Sequence, residues 1–127
     1  MRHGEVIDPR GRRWHVEIPE RRAERRRGLL GRDGLDAGTG MLFERAASIH
    51  TIGMRFPIDA VFLGRPDDDG RRVVRLVRTM PPGRLAALPK PGVRAVLELP
   101  SGSDVRVGDA ILCRLPTTGS DARAPIV

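Results

Sequence analysis

Apolar and polar residues alternate along this chain in short bursts separated by glycine and proline. The clearest burst is Arg12–Ile18, where Trp14, Val16 and Ile18 share one face and Arg13, His15 and Glu17 the other. A period of two marks a half-buried strand. A preceding strand is expected around Glu5–Ile7, joined to it through a Pro9-Arg10-Gly11 turn. Pro19 suits the first position of a helix, and Glu20 and Glu24 lie near the positive end of its dipole. The spacing predicts a short helix over Glu20–Leu30, rich in arginine and closed by Gly28 and Gly31.

Further on, Met41–Phe43 and Ser48–Ile52 read as short strands, and Pro57 pushes Phe56 out of helical geometry. Ile58–Gly64 and Arg72–Arg78 form the clearest hairpin, turning near Asp69-Gly70. The proline-rich stretch Met80–Gly92 is a long connection with one helical turn expected at Leu85–Leu88. Val93–Leu99 alternates again, with Val93, Ala95, Leu97 and Leu99 inward. Val105–Leu115 is a last strand region, bent at Gly108-Asp109. About eight short strands and one or two helices give a mainly β (α+β) fold, a small open barrel-like or curled antiparallel arrangement with one short basic helix. Residues 1–115 are expected to form a single β-rich domain and residues 116–127 a disordered tail.

The chain has 127 residues, ample for one core. Aromatics are few, so Val, Leu, Ile and Met must build that core. The formal charge is +7, which raises the question of nucleic acid. Lys90 is the only lysine, an arginine bias that a GC-rich genome also produces. The excess is concentrated at the N-terminal end, where residues 1–32 hold 10 arginines against 5 acids. Cys113 is the only cysteine, which rules out an intramolecular disulfide and a thiolate metal cluster. No run approaches the length of a membrane-spanning helix, and Met1–Glu20 lacks the apolar stretch of a signal peptide. A cytoplasmic protein is expected, with no cofactor and no metal.

Several blocks together resemble a known family. They are Glu24-Arg25, Gly28-Leu29-Leu30-Gly31-Arg32, Gly40-Met41-Leu42-Phe43, the run from His50 to Asp59, Val61-Phe62-Leu63, Val96 to Gly102, and Gly108-Asp109. Their succession over residues 12–113 is similar to domain of unknown function family 192, whose members are small bacterial and archaeal proteins. The resemblance implies a compact β-rich fold with one helix and no established activity. Many members carry a Phe-Trp-Met-Lys-Asn-type stretch where this chain has His50-Thr51-Ile52-Gly53-Met54-Arg55-Phe56.

The candidate chemistry gathers in the same blocks. Arg32, His50, Met54, Arg55, Asp59 and Glu98 are polar or soft residues set among apolar ones, and they are expected to line a cleft for a small anionic or polar ligand. An unpaired buried carboxylate costs several kcal/mol, so Asp59 must find an arginine or backbone donors. The plainer reading is that Asp59 pairs with Arg32 or Arg55 and only pins loop geometry. A binding module for a small polar ligand or a protein partner is therefore expected, rather than an enzyme. One alternative is nonspecific nucleic-acid association through Arg21, Arg22, Arg25 and Arg26 on the basic helix. Another is hydrolase chemistry using His50 and Asp59, with Ser48 nearby, although no nucleophile elbow is present. Metal sites built on His3, His15 and Asp8, or on His50 and Met54, lack ligand number and spacing. Cys113 reads as a small core residue.

Overall fold

The structure is a computed structural model and describes residues 1–85 and 91–115. The alternation in RRWHVEI produces β2 (Arg13–Ile18), which pairs antiparallel with β1 (Arg2–Ile7), Val6 lying opposite Trp14. Asp8 ties the turn between them, its carboxylate accepting from the Arg10 and Arg12 amides and from the Arg12 guanidinium. A crossover that contains α1 (Arg22–Arg27) then carries the chain to β3 (Thr39–Glu44), which lies parallel to β2. Parallel neighbours need such a long connection, and this one places the helix outside the sheet. The hairpin follows as β4 (Ile58–Asp67) and β5 (Gly70–Met80), then β6 (Ala95–Pro100) and β7 (Ala110–Arg114). In spatial order β1-β2-β3-β6-β4-β5-β7 the strands close into a barrel.

Two apolar layers result. Val6, Trp14, Val16, Leu42, Val61, Val73, Leu97 and Ile111 belong to a cluster to which all seven strands contribute, which makes it the barrel interior. Met41, Ile58, Ala60, Phe62, Met80 and Val96 occupy the opposite face of β3, β4, β5 and β6. Leu29 and Met54, from the connecting segments, cover that second face. Both faces of β6 are consequently buried.

The mainly β class and the short basic helix are as the sequence predicts, but the barrel closes where an open one is expected. Strands β1 and β7 supply the closure by pairing Val6 with Cys113. Cys113 packs against the interior cluster, as expected of a small core residue. The strand expected at residues 48–52 does not form. His50 makes only an isolated bridge with Leu85, because Thr51 turns the chain inward. The Thr51 hydroxyl donates to the Pro81 carbonyl at 2.6 Å and accepts from the Arg84 amide at 2.9 Å. The last strand is confined to β7, since Gly108 and Asp109 bond to Val73 instead of continuing a ladder. Apart from Leu85, the helical turn expected at residues 85–88 lies outside the described residues, as does the expected tail over 116–127. No helix among the described residues is long and apolar enough to cross a membrane.

Candidate functional site

Glu98 stands at the middle of β6 on the outward face, opposite Met41 of β3 and Ala60 of β4. An outward position on a strand ordinarily meets water. Here the segments after α1 and after β3 fold over it, leaving Glu98 only 4% exposed. Gly28 makes the first of these possible. Its φ of +49° and its close approach to Phe43, with 3.3 Å from a would-be Cβ to the ring, suit glycine alone. The chain then drops Leu29 into the outer apolar layer.

Between these segments lies a cavity of about 190 Å³ with Glu98 in its lining. Leu29, Leu30, Phe43, Ala46, Ile49 and Met54 give it apolar walls, Ser48 and His50 a polar side, and Arg25, Arg26 and Arg27 a basic border. Among the described residues the Glu98 carboxyl has no hydrogen-bond partner and no ion pair. Burial pushes its pKa up to about 8, because desolvation penalises the charged form and no cation offsets it. Near neutral pH the group is therefore mostly the neutral acid, a donor and acceptor facing a small open space. The His50 ring accepts the Ile52 amide on Nδ1 at 3.2 Å, so the neutral ring carries its proton on Nε2.

The structure brings His50, Met54 and Glu98 together and sets Arg32, Arg55 and Asp59 apart from them. Arg32 is held by Glu17 in a bidentate pair at 2.7 and 3.1 Å, which lowers the Glu17 pKa and raises that of Arg32. Arg55 pairs with Asp33 at 2.8 Å on the open surface. Asp59, only 1% exposed, shares the inward face of β4 with Val61, and the arginine partner expected for it is replaced by backbone and hydroxyl donors. Its oxygens accept from the Thr79 amide at 2.8 Å, the Ser103 amide at 3.0 Å and the Ser103 hydroxyl at 2.7 Å. A pairing of His50 with Asp59 is thereby excluded geometrically, since Asp59 faces the other side of the sheet and spends both oxygens there.

The helix arginines serve more than one end. Arg21 is the N-cap residue, and its amide and that of Glu20 are both accepted by Glu24 Oε1 at 3.0 Å. These bonds draw the Glu24 pKa down to about 2. Arg22 and Arg26 are exposed. Arg25 lies over the Phe43 ring at 6.0 Å and donates to the Arg45 carbonyl. The walls supplied by Arg27, Leu29, Leu30, Phe43, Ala46 and Ile49 escape sequence reasoning. Their only signal is the unusual setting of Leu29-Leu30 between two glycines.

His3 and His15 stack on the β1–β2 surface with Nδ1 and Nε2 3.1 Å apart, while Asp8 is engaged with Arg10 and Arg12. Among the described residues no three His, Cys, Asp or Glu side chains converge in a way that would hold a metal ion.

Residues 5–111 match the family model DUF192, described as an uncharacterized ACR family. The chain belongs to DUF192. The crystal structure of a protein of unknown function from Novosphingobium aromaticivorans DSM 12444 is 28% identical to this DUF192 chain, with a TM-score of 0.69, covering 86% of this chain and 82% of that one. A protein from Sinorhizobium meliloti 1021, proposed to be a transcription regulator, is 22% identical with a TM-score of 0.68, covering 88% of this chain and 92% of its own. At that identity the second likeness speaks for the fold alone. No curated protein matches the chain.

Proposed function

We propose that this DUF192 protein is a binding module whose outer cavity, roofed by residues 28–30 and 46–54, takes a small polar ligand on Glu98. One observation carries the reading. A carboxyl group 4% exposed lacks any hydrogen-bond partner among the described residues, yet it lines a cavity. Buried polar groups in folded proteins are nearly always bonded, so the free carboxyl is open to a partner that enters the cavity. Apolar walls with a few convergent polar groups are the common form of a small-molecule site.

The two alternatives have less support. Hydrolysis through His50 and Asp59 lacks the contact between them. Nucleic-acid association has an exposed but very short helix, and Arg25 is occupied by Phe43 and Arg45. A cytoplasmic setting stays part of the proposal, supported by the lone, partly buried cysteine.

The test is an amide-shift NMR titration of the labelled protein with pooled sugars, carboxylates, amines and a short DNA duplex. Binding at the cavity moves the amides of Leu29, Leu30, Ser48, His50, Met54 and Glu98. Shifts confined to residues 21–27 and erased by salt would overturn the reading in favour of nonspecific electrostatics.

A further inference from the structure

The cavity has opposite chemistry at its two ends. Its sheet side holds a single acid, Glu98, and its helix side carries Arg25, Arg26 and Arg27. Among the described residues no ion pair joins Glu98 to these arginines, and Arg25 is engaged with the Phe43 ring and the Arg45 carbonyl. The basic border is therefore supplied by Arg26 and Arg27, on another element than the acidic floor. Resting on the reading of this cavity as a binding site, we propose that its ligand is a small zwitterion. An ammonium or guanidinium end sits on Glu98, and a carboxylate or phosphate end meets the arginine border.

The charges eliminate the simpler classes. A plain cation gains nothing from the arginine border. A plain anion gains from the arginines but leaves the buried acid unsatisfied beneath it. A neutral hydroxyl compound satisfies Glu98 and ignores the border. Only a ligand with both ends uses both stations, and the modest volume of the cavity limits it to a small molecule. The apolar walls between, Leu29, Phe43, Ile49 and Met54, suit the methylene spacer of such a molecule.

Seating the cation on Glu98 favours its charged form, so binding near neutral pH expels a proton. The titratable and charged groups that face Glu98 across the cavity are Arg25, Arg26 and Arg27 of α1 and His50 of the covering loop. The Glu98→Gln variant separates the proton that Glu98 contributes from any released elsewhere.

The experiment is titration of the full chain with ω-amino acids from glycine to 6-aminohexanoate, with butylamine and butyrate as single-ended controls. Amide shifts and calorimetry in two buffers of different ionisation heat are recorded near neutral pH. One spacer length is expected to bind at least about ten-fold tighter than either control, with release of close to one proton per ligand. Glu98→Gln, checked for a dispersed native spectrum, loses both the preference and the proton. Butyrate binding as tightly as the best amino acid, or proton release unchanged in Glu98→Gln, overturns the zwitterion. If sugars or butyrate move the cavity amides and the amino acids do no better, the site stands and only the ligand class falls. If no probe moves those amides, both fall.

Discussion

Asp59 and Glu98 occupy neighbouring strands, with Glu98 opposite Ala60 and Asp59 opposite Leu99, and both are buried. Strand pleating sends them to opposite faces, and there their situations diverge. Asp59 points into the end of the barrel and receives three donors from Thr79 and Ser103. It holds Thr79 at a φ of +47°, a conformation that costs a β-branched residue about 1–3 kcal/mol, and it gathers the loop after β6. Glu98 points outward beneath two loops and receives nothing. One buried acid is a structural fastener, and the other has no donor among the described residues. Burial alone does not distinguish them; the count of donors does.

If the contrast is right, pH should separate the two acids first, with the largest effect. The Glu98 carboxyl is raised from 4.5 to about 8 by burial. Its folded state holds a proton that its unfolded state releases, so the stability it contributes is complete below pH 4.5. That contribution is lost as pH rises from 4.5 through 8, and is constant above. The loss over that window is on the order of 5 kcal/mol. The difference in unfolding free energy between wild type and Glu98→Gln, measured by urea titration across this range, should carry that slope. A flat difference would mean that Glu98 has a partner after all.

Removing the donors' target comes next. Asp59→Ala orphans two amides and a hydroxyl in the barrel end and should cost about 3 kcal/mol by chemical denaturation. Glu98→Gln at neutral pH should cost nothing or stabilise. Equal losses at the two positions would erase the distinction on which the site assignment rests.

A smaller effect tests the strand that both acids depend on. A Cβ at Gly40 would come within 2.8 Å of the Glu98 carbonyl oxygen and of Leu99 Cδ2. Gly40→Ala therefore must push β6 away from β3, at a cost of about 1–3 kcal/mol. The added methyl enters the inner layer against Val16 and Leu99, the residue paired with Asp59, so amide shifts around Ser103 should exceed those in the cavity. Equal disturbance at both would show that the two faces of β6 move as one.

The sequence made the inner layer legible and the outer one much less so. Alternation in RRWHVEI and in Ala95, Leu97 and Leu99 identifies the barrel face directly, because every second residue meets the same environment, whereas Val93, expected inward with them, packs in the outer layer. Asp59 was also readable, since a carboxylate in an apolar strand must find donors, although sequence could not choose arginine over backbone. The cavity depends instead on Gly28–Leu30 and on residues 46–54, which lack a period and are shaped by turns such as the one Thr51 anchors. Arg32 and Arg55 looked available because Glu17 and Asp33, which intercept them, are distant in the chain. Glu98 was identifiable as a polar residue in an apolar block, but its lack of a partner is a property of the fold alone.

The least effect is expected on the exposed side of α1, and it completes the contrast between residues that carry the site and residues that merely border it. Arg22 and Arg26 are both exposed, but only Arg26 borders the cavity. Replacing either by Gln should change stability by no more than about 0.5 kcal/mol, the usual range for surface substitutions. Their effects on a zwitterion should differ. Arg26→Gln removes one charge that faces the anionic end and should weaken binding several-fold in low salt, less so as salt screens it. Arg22→Gln leaves the border intact and should leave affinity unchanged. Calorimetry of the two variants at two salt concentrations decides the matter. Equal losses from both would mean that the net charge of the helix attracts the ligand, and that the arginine border has no positional role.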